Sequence, residues 1–127
     1  MVGLVLVSHS QSLAGGLLHL IRIMAKEVTV ELAGGLEDGS PGTSYDKIRS
    51  AVIRADSGDG VVVIADLGSS VMTAEMVLED LPDGINAVLA DCPMVEGAVT
   101  ASVTAESGAS MEDVKADAEA AWQSRKT

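Results

Sequence analysis

Four short apolar runs, rich in valine and isoleucine, alternate with longer helical stretches along this chain of 127 residues. The runs are Val2–Val7, Val28–Ala33, Val61–Asp66 and Ile85–Ala90. Nearly continuous apolar runs of this length are typical of parallel strands buried on both faces. The alternation therefore predicts an α/β fold: a doubly wound, mainly parallel sheet with helices on both faces. We expect one domain over residues 1–127, since no linker or repeat divides the chain.

The order of the strands predicts where ligands bind. Right-handed crossovers between four parallel strands most simply give the core strand order 2-1-3-4. The winding then reverses between strands one and three, and ligands gather at the carboxyl ends beside such a reversal. The segments at those ends are Ser8-His9-Ser10 and Asp66–Ser70. The sequence thus predicts that His9 and Asp66 meet in one crevice.

Helices are predicted between the strands and after the last one. The predicted ranges are about Gln11–Ala25, Ser44–Ala55, Val71–Leu81 and Pro93–Glu106. Pro93 is expected near the first helical position of its helix. A last helix is expected after Ser110. Ser10 or Ser12 is expected to cap the first helix, Thr43 the second, and the serine pair at 69 and 70 to start the third. The first helix is apolar on more than one side, which indicates a subunit interface. Its Gly15-Gly16 pair suggests close backbone packing.

Composition excludes several classes of protein. The net charge is −11 and only Tyr45 and Trp122 are aromatic, so the chain lacks both the basic surface and the stacking platforms that bind nucleic acid. One cysteine cannot form an internal disulfide. No apolar run approaches the roughly 18 residues that span a membrane, and the apolar N-terminus lacks the basic lead-in of a signal peptide. We therefore expect a cytoplasmic domain.

The acidic residues are unevenly distributed. Residues 1–63 carry 5 basic and 7 acidic side chains, whereas residues 64–127 carry 3 and 12. This excess is typical of a solvated helix surface. An alternative interpretation is an acidic face that steers a partner.

The predicted crevice combines groups suited to phosphoryl transfer. Asp66 accepting the Nδ1–H of His9 would fix the ring tautomer and leave Nε2 as a nucleophile. Ser8, Ser10, Ser69 and Ser70 surround the pair. Hydroxyl and backbone N–H groups at the two helix starts form a site where anions bind. The alternative for these serines is a capping role alone.

Other chemistries fit the sequence less well. It has no G-x-S-x-G elbow, no phosphate loop of the G-x-x-x-x-G-K-[ST] type and no dinucleotide fingerprint after the first strand. A response-regulator receiver would need an acidic pair where this chain has Ser8-His9-Ser10. His19 falls in mid-helix and is interpreted as a surface or interface residue, so no metal site is predicted. Cys92 is interpreted as a small packing residue.

Three segments carry a family resemblance over nearly the whole chain: GLVLVSHSQSLAGG at 3–16, GDGVVVIADLGSSVMTAEM at 58–76 and PMVEGAVTASVTAESGAS at 93–110. They resemble the phosphotransferase subunit of bacterial phosphoenolpyruvate-dependent dihydroxyacetone kinase, in the mannose-type enzyme IIA superfamily. His-Ser after strand one and Asp-Leu-Gly-Ser after strand three favour this branch over the sugar-transport branch. Ser70 and Gly15 depart from the pattern, which more often has alanine and an acidic residue there.

The resemblance implies a phosphohistidine carrier that is a homodimer. His9 would be phosphorylated and Asp66 would orient it, with phosphate contacts from the Gly68–Ser69 turn. The phosphoryl group would come from the phosphocarrier protein HPr and pass to ADP on the nucleotide-binding subunit of the kinase. No cofactor is expected in this chain, since ADP, ATP and Mg would bind the partner subunit. Because no HPr-like or enzyme-I-like domain is found, separate donors are expected. Two alternatives stay open: a mannose-type enzyme IIA of sugar transport, and a nonenzymatic flavodoxin-like module that binds an anion.

Overall fold

A four-stranded, fully parallel sheet with the order β2-β1-β3-β4 forms the centre of the computed structural model, which describes residues 1–127. The strands are β1 (Gly3–Ser8), β2 (Val30–Gly34), β3 (Val61–Ala65) and β4 (Ala87–Leu89). The helices are α1 (Gln11–Met24), α2 (Tyr45–Ala55), α3 (Gly68–Leu78), α4 (Met94–Glu106) and α5 (Met111–Glu119), and a 3-10 turn follows at Ala120–Gln123. The predicted fold class and strand order are confirmed.

Alternate side chains of the strands pack into two separate cores. Leu4, Leu6, Val62 and Ile64 point to the face covered by α1, α4 and α5. Val5, Val7, Val61 and Val63 point to the opposite face, covered by α2 and α3. Successive side chains of a strand point to opposite faces, so strands with two apolar faces need helices on both sides. None of the helices is both long and apolar enough to cross a membrane.

Glycine brings the end of β2 against the start of α1. A Cβ on Gly34 would lie 2.9 Å from the Cα of Gln11 and 3.0 Å from the carbonyl oxygen of Ser10. Both are backbone atoms that cannot move aside cheaply, so a side chain at this position is excluded. The close approach packs β2 against the first turn of α1, beside the carboxyl end of β1.

Several predicted boundaries are wrong. The outer strands are shorter than predicted, since β2 begins at Val30 and β4 covers only Ala87–Leu89. Ser44, not Thr43, caps α2 by accepting the N–H of Lys47. Pro93 is the N-cap residue of α4, one position before the first helical residue and so near the predicted position. These differences follow from local hydrogen bonding, which decides a helix end within one or two residues.

Two expectations about α1 have different outcomes. Ser10 caps the helix by accepting the N–H of Leu13 at 3.1 Å, as expected. The close backbone packing expected at Gly15 and Gly16 is absent within the chain, because no atom lies within 4 Å of a Cβ built on either residue. Both glycines face outward, beside the exposed apolar side chains of the same helix (Leu13, Leu20, Ile23 and Met24).

Candidate active site

His9 and Asp66 lie side by side because they follow neighbouring strands at the same edge of the sheet. The N–H of Asp66 donates to the carbonyl of Val7 at 3.1 Å, which continues the pairing of β1 and β3 to the site. On the other side, the N–H of Gly42 donates to the carbonyl of His9 at 2.9 Å. The backbone of the crevice is thus held from both flanking segments.

The carboxylate of Asp66 is the hub of the site. Its Oδ2 accepts the hydroxyl of Ser8 at 2.9 Å and the backbone N–H of His9 at 3.0 Å. Its Oδ1 accepts the N–H of Leu67 at 2.7 Å and lies 3.0 Å from Nδ1 of His9. Only 10% of the Asp66 side chain is exposed, so these bonds replace its lost hydration.

Opposing effects set the pKa of Asp66. Burial favours the neutral acid and raises the pKa. Hydrogen bonds stabilise the anion and outweigh burial, so the pKa of Asp66 falls to about 2. They come from the backbone N–H of His9, the hydroxyl of Ser70, the ring of His9 and the hydroxyl of Ser8. Asp66 is therefore ionised at neutral pH.

The lowered pKa of Asp66 predicts an acid-dependent part of the stability. A carboxyl whose folded pKa lies below its ordinary value of 3.8 stabilises the fold at pH above about 4, and this contribution is lost as the pH falls through about 2. Its size is about 2 kcal/mol. Urea unfolding of wild type and Asp66→Asn measures it, and we expect their difference in unfolding free energy to shrink from about pH 6 to about pH 2. A difference that stays constant over that range would contradict the assignment.

The hydrogen bonds define the tautomer of His9. A carboxylate only accepts hydrogen bonds, so Nδ1 carries the proton that points at Asp66. In the neutral ring Nε2 then keeps its lone pair, and it lies 2.5 Å from the hydroxyl oxygen of Ser69, which can donate to it. Because 28% of the His9 side chain is exposed, Nε2 lies at the mouth of the crevice. In its neutral form the ring is an oriented imidazole nucleophile whose Nε2 faces outward.

Ser70 lies on the other side of the ring from Ser69. It is fully buried, and its hydroxyl is 3.0 Å from Nδ1 of His9 and 3.0 Å from the hydroxyl of Thr43. Ser69 is exposed and faces Nε2. The two neighbouring serines therefore contact different nitrogens of the same ring.

The start of α3 differs from the prediction and creates an uncapped helix end at the site. The helix begins at Gly68, and its N-cap is Leu67, which makes no side-chain cap bond. Ser69 and Ser70 lie inside the first turn, so the prediction that they precede the helix is wrong. The first backbone N–H groups of a helix have no acceptor within it, and the helix dipole makes this end positive. Such an end binds phosphate-like anions.

Ser10 contributes to the site mainly through local structure. Its hydroxyl caps α1, and its N–H donates to the hydroxyl of Ser8 at 3.0 Å. Ser8 in turn donates to Asp66, so a chain of three hydrogen bonds links the cap of α1 to the central carboxylate. Ser8 lies beside the pair as predicted from the sequence, whereas the contact of Thr43 with Ser70 was not predicted. For Thr43, the only signal is its place in the loop after β2, at the same edge of the sheet.

Other reactive residues lie outside the site. His19 is exposed on α1, as interpreted from the sequence. Cys92 is buried, and burial together with Glu119 and Asp91 raises the pKa of its thiol to about 11, so it is an unreactive packing residue. No lysine or arginine contacts His9 or Asp66, and the ammonium of Lys47 donates instead to the carbonyl of Gly34 at 2.7 Å.

Residues 3–115 match the model of one protein family, the PTS system fructose IIA component, also called EIIA-man. The chain belongs to this family. It is 40% identical to the PTS-dependent dihydroxyacetone kinase phosphotransferase subunit DhaM of Lactococcus lactis subsp. lactis (strain IL1403), over 89% of each chain. It is 36% identical to the PEP-dependent dihydroxyacetone kinase phosphoryl donor subunit DhaM of Escherichia coli (strain K12), over 99% of this chain and 28% of that protein. The match therefore spans less than a third of the E. coli relative.

The fold of this EIIA-man domain also matches a solved structure. The crystal structure of EF1359, a protein of unknown function, superposes on this chain with a TM-score of 0.83. The two chains share 33% sequence identity, and the match covers 94% of each. The family resemblance drawn from the three sequence segments is confirmed by the family model and by the DhaM relatives.

Proposed function

We propose that this protein is a phosphohistidine carrier in which Nε2 of His9 accepts a phosphoryl group and passes it on. One observation carries the proposal: Asp66 holds Nδ1 of His9 at 3.0 Å, while Nε2 faces the uncapped start of α3. Membership in the EIIA-man family and the names of the DhaM relatives, which are phosphoryl donor subunits, support it.

The transfer needs no proton movement in this chain. The lone pair of Nε2 attacks phosphorus in line, a P–N bond forms, and the bond from phosphorus to the donor breaks. The phosphorylated ring keeps its proton on Nδ1 and shares a positive charge, which the Asp66 carboxylate stabilises. In the second transfer an oxygen of the acceptor attacks phosphorus, the P–N bond breaks, and His9 returns to the neutral tautomer.

We propose four residues for binding the transferred phosphate: Ser10, Gly68, Ser69 and Ser70. The hydroxyl of Ser69 occupies the approach to Nε2 and would turn to donate to a phosphoryl oxygen. Gly68 and Ser70 would contribute backbone N–H groups of the first turn of α3. Ser10 would contribute its hydroxyl proton, since its oxygen already accepts the N–H of Leu13.

The partners follow from the proposed carrier role. We propose HPr as the donor and ADP, bound with Mg on the nucleotide-binding subunit of dihydroxyacetone kinase, as the acceptor. ATP would be regenerated there and used to phosphorylate dihydroxyacetone, and no cofactor would bind this chain. The printed names of the relatives support a kinase partner of this kind. The reaction belongs to the cytoplasm, where phosphoenolpyruvate and ADP are available.

We also propose that the protein is a homodimer. Exposed apolar side chains of α1 support this, since Ile23 is 71% and Met24 is 61% exposed. A second copy of the helix would bury them, and the outward-facing Gly16 leaves room for close approach. Sedimentation velocity is expected to give a dimer for wild type and a monomer for Ile23→Lys. A wild-type monomer at micromolar concentration would contradict the proposal.

Incubation with phosphoenolpyruvate, enzyme I and HPr, followed by intact mass, tests the carrier function. We expect one phosphoryl group per chain, which is lost again when the kinase subunits and ADP are added. Transfer to an enzyme IIB in place of ADP would favour the sugar-transport alternative. Binding of a small anion without covalent labelling would favour the anion-binding module and contradict the proposal.

A further inference from the structure

A second depression opens beside the candidate site, on the side of Asp66 that faces β4. It is a cleft of about 450 Å³ between α3 and the 3-10 turn that carries Trp122, with the carboxyl ends of β3 and β4 beneath it. Asp66, Leu67 and Gly68 line this cleft and also belong to the site of His9. A molecule seated in the cleft would therefore lie directly next to the phosphoryl-accepting residue.

Hydrogen bonds fix the outer wall of the cleft. The indole N–H of Trp122 donates to the carbonyl of Asp91 at 2.9 Å. The carboxylate of Glu119 accepts the N–H of Asp91 at 2.8 Å and the ammonium of Lys115 at 3.1 Å. These contacts join the end of α5 to the loop after β4, although 60% of Trp122 stays exposed. An exposed aromatic side chain held in place is a common anchor of protein interfaces.

The cleft combines an apolar lining with unpaired negative charge. Leu67 is 63% exposed at its edge. The carboxylates of Glu75 and Asp91 line it, and neither takes part in an ion pair or a side-chain hydrogen bond. No lysine or arginine lines the cleft. Its surface therefore complements a segment that presents an apolar side chain flanked by basic residues.

We propose that this cleft receives a basic, apolar segment of the protein that donates the phosphoryl group to His9. The inference rests on the proposed carrier function. Charge decides the occupant, because a second copy of a chain with a net charge of −11 would meet unpaired carboxylates here. The partner would also bring a cation close to a site whose phosphate contacts are all hydroxyl and N–H groups. A cation next to Trp122 gains further from the face of the indole ring.

The test removes the two unpaired charges and follows the kinetics. With HPr as the donor, kept phosphorylated by phosphoenolpyruvate and enzyme I, the Glu75→Gln/Asp91→Asn variant is expected to raise KM for HPr about fivefold with kcat unchanged. The difference should shrink at high salt. Glu112→Gln/Asp113→Asn is the matched control, since it removes the same charge from the start of α5, and its KM should stay at the wild-type value.

Trp122 supplies a second readout because it is the single tryptophan of the chain. Labelled as 5-fluorotryptophan, it gives one fluorine resonance, which we expect to shift when HPr is added to the wild type. The cleft inference is overturned if the fluorine signal stays fixed, if KM is unchanged in the cleft variant, or if the control raises KM equally. In each of these cases wild type still takes up phosphate, so the carrier function stands. Failure of wild type to accept phosphate from HPr overturns the carrier function, and the cleft inference with it.

Discussion

Replacing His9 with alanine is expected to abolish phosphoryl acceptance, whereas replacing His19 with alanine leaves it intact. His9 alone combines an oriented Nδ1–H, 3.0 Å from Asp66, with an Nε2 that faces outward. His19 lies ten residues along the chain on α1, about 15 Å further on by the rise of a helix. Intact mass after incubation with phosphoenolpyruvate, enzyme I and HPr measures the outcome. Equal labelling of His9→Ala and wild type would contradict the account.

The alanine variant also loses hydrogen bonds of the ring, so its folding must be checked. Thermal unfolding by circular dichroism is expected to be cooperative for both His9→Ala and wild type, since the ring lies at the rim of the sheet and outside the apolar cores. His9→Gln serves as a second variant that keeps a polar side chain at this position but no nucleophile. It is expected to remain unlabelled as well, which separates a lost nucleophile from a lost fold.

Replacing Asp66 with asparagine is expected to slow phosphoryl transfer on the order of 100-fold. Two effects act together. The neutral amide no longer stabilises the positive charge that the phosphorylated ring shares. Its NH₂ group can also donate to Nδ1, which favours the tautomer that has no lone pair on Nε2. The change therefore acts on the reactivity of His9 and leaves His9 itself in place.

Single-turnover transfer at saturating phospho-HPr separates this effect from weaker docking. We expect the maximal rate of Asp66→Asn to fall while the donor concentration at half-maximal rate changes little. Asp113→Asn, on the exposed first turn of α5, is the matched control and should keep the wild-type rate. A wild-type maximal rate for Asp66→Asn would show that the carboxylate does not orient or stabilise the ring.

The part of the site that sequence reasoning could predict is the part that strand order determines. Once four parallel strands adopt the order 2-1-3-4, the residues after strands one and three must be neighbours, and His9 meets Asp66. No knowledge of side-chain packing was needed for that step. The two apolar faces of the strands likewise required helices on both sides of the sheet.

The details that could not be predicted depend on tertiary contacts or on competition between neighbouring residues. Ser69 and Ser70 are good capping residues, yet α3 starts at Gly68 and places them in its first turn, where they reach His9. Thr43 is the cap predicted for α2, but Ser44 takes that role and Thr43 contacts Ser70 instead.

The cleft next to the site illustrates the same limit. The bond from Trp122 to the Asp91 carbonyl joins residues that are 31 positions apart, and no local pattern predicts it. The acidic excess of the second half of the chain allowed either a solvated surface or a steering face. The unpaired carboxylates of Glu75 and Asp91 favour a steering face, rather than a merely solvated surface, at the cleft beside the site.

The position of the phosphorus atom on the protein tests the central claim most directly. Phosphorus-coupled ¹H–¹⁵N correlation spectra of the phosphorylated protein, with histidine labelled by ¹⁵N, identify both the residue and the ring nitrogen that bear the group. The account predicts a coupling to Nε2 of His9, with Nδ1 still protonated and bonded to Asp66. Phosphorus on Nδ1 of His9, on His19 or on a residue other than histidine would contradict it.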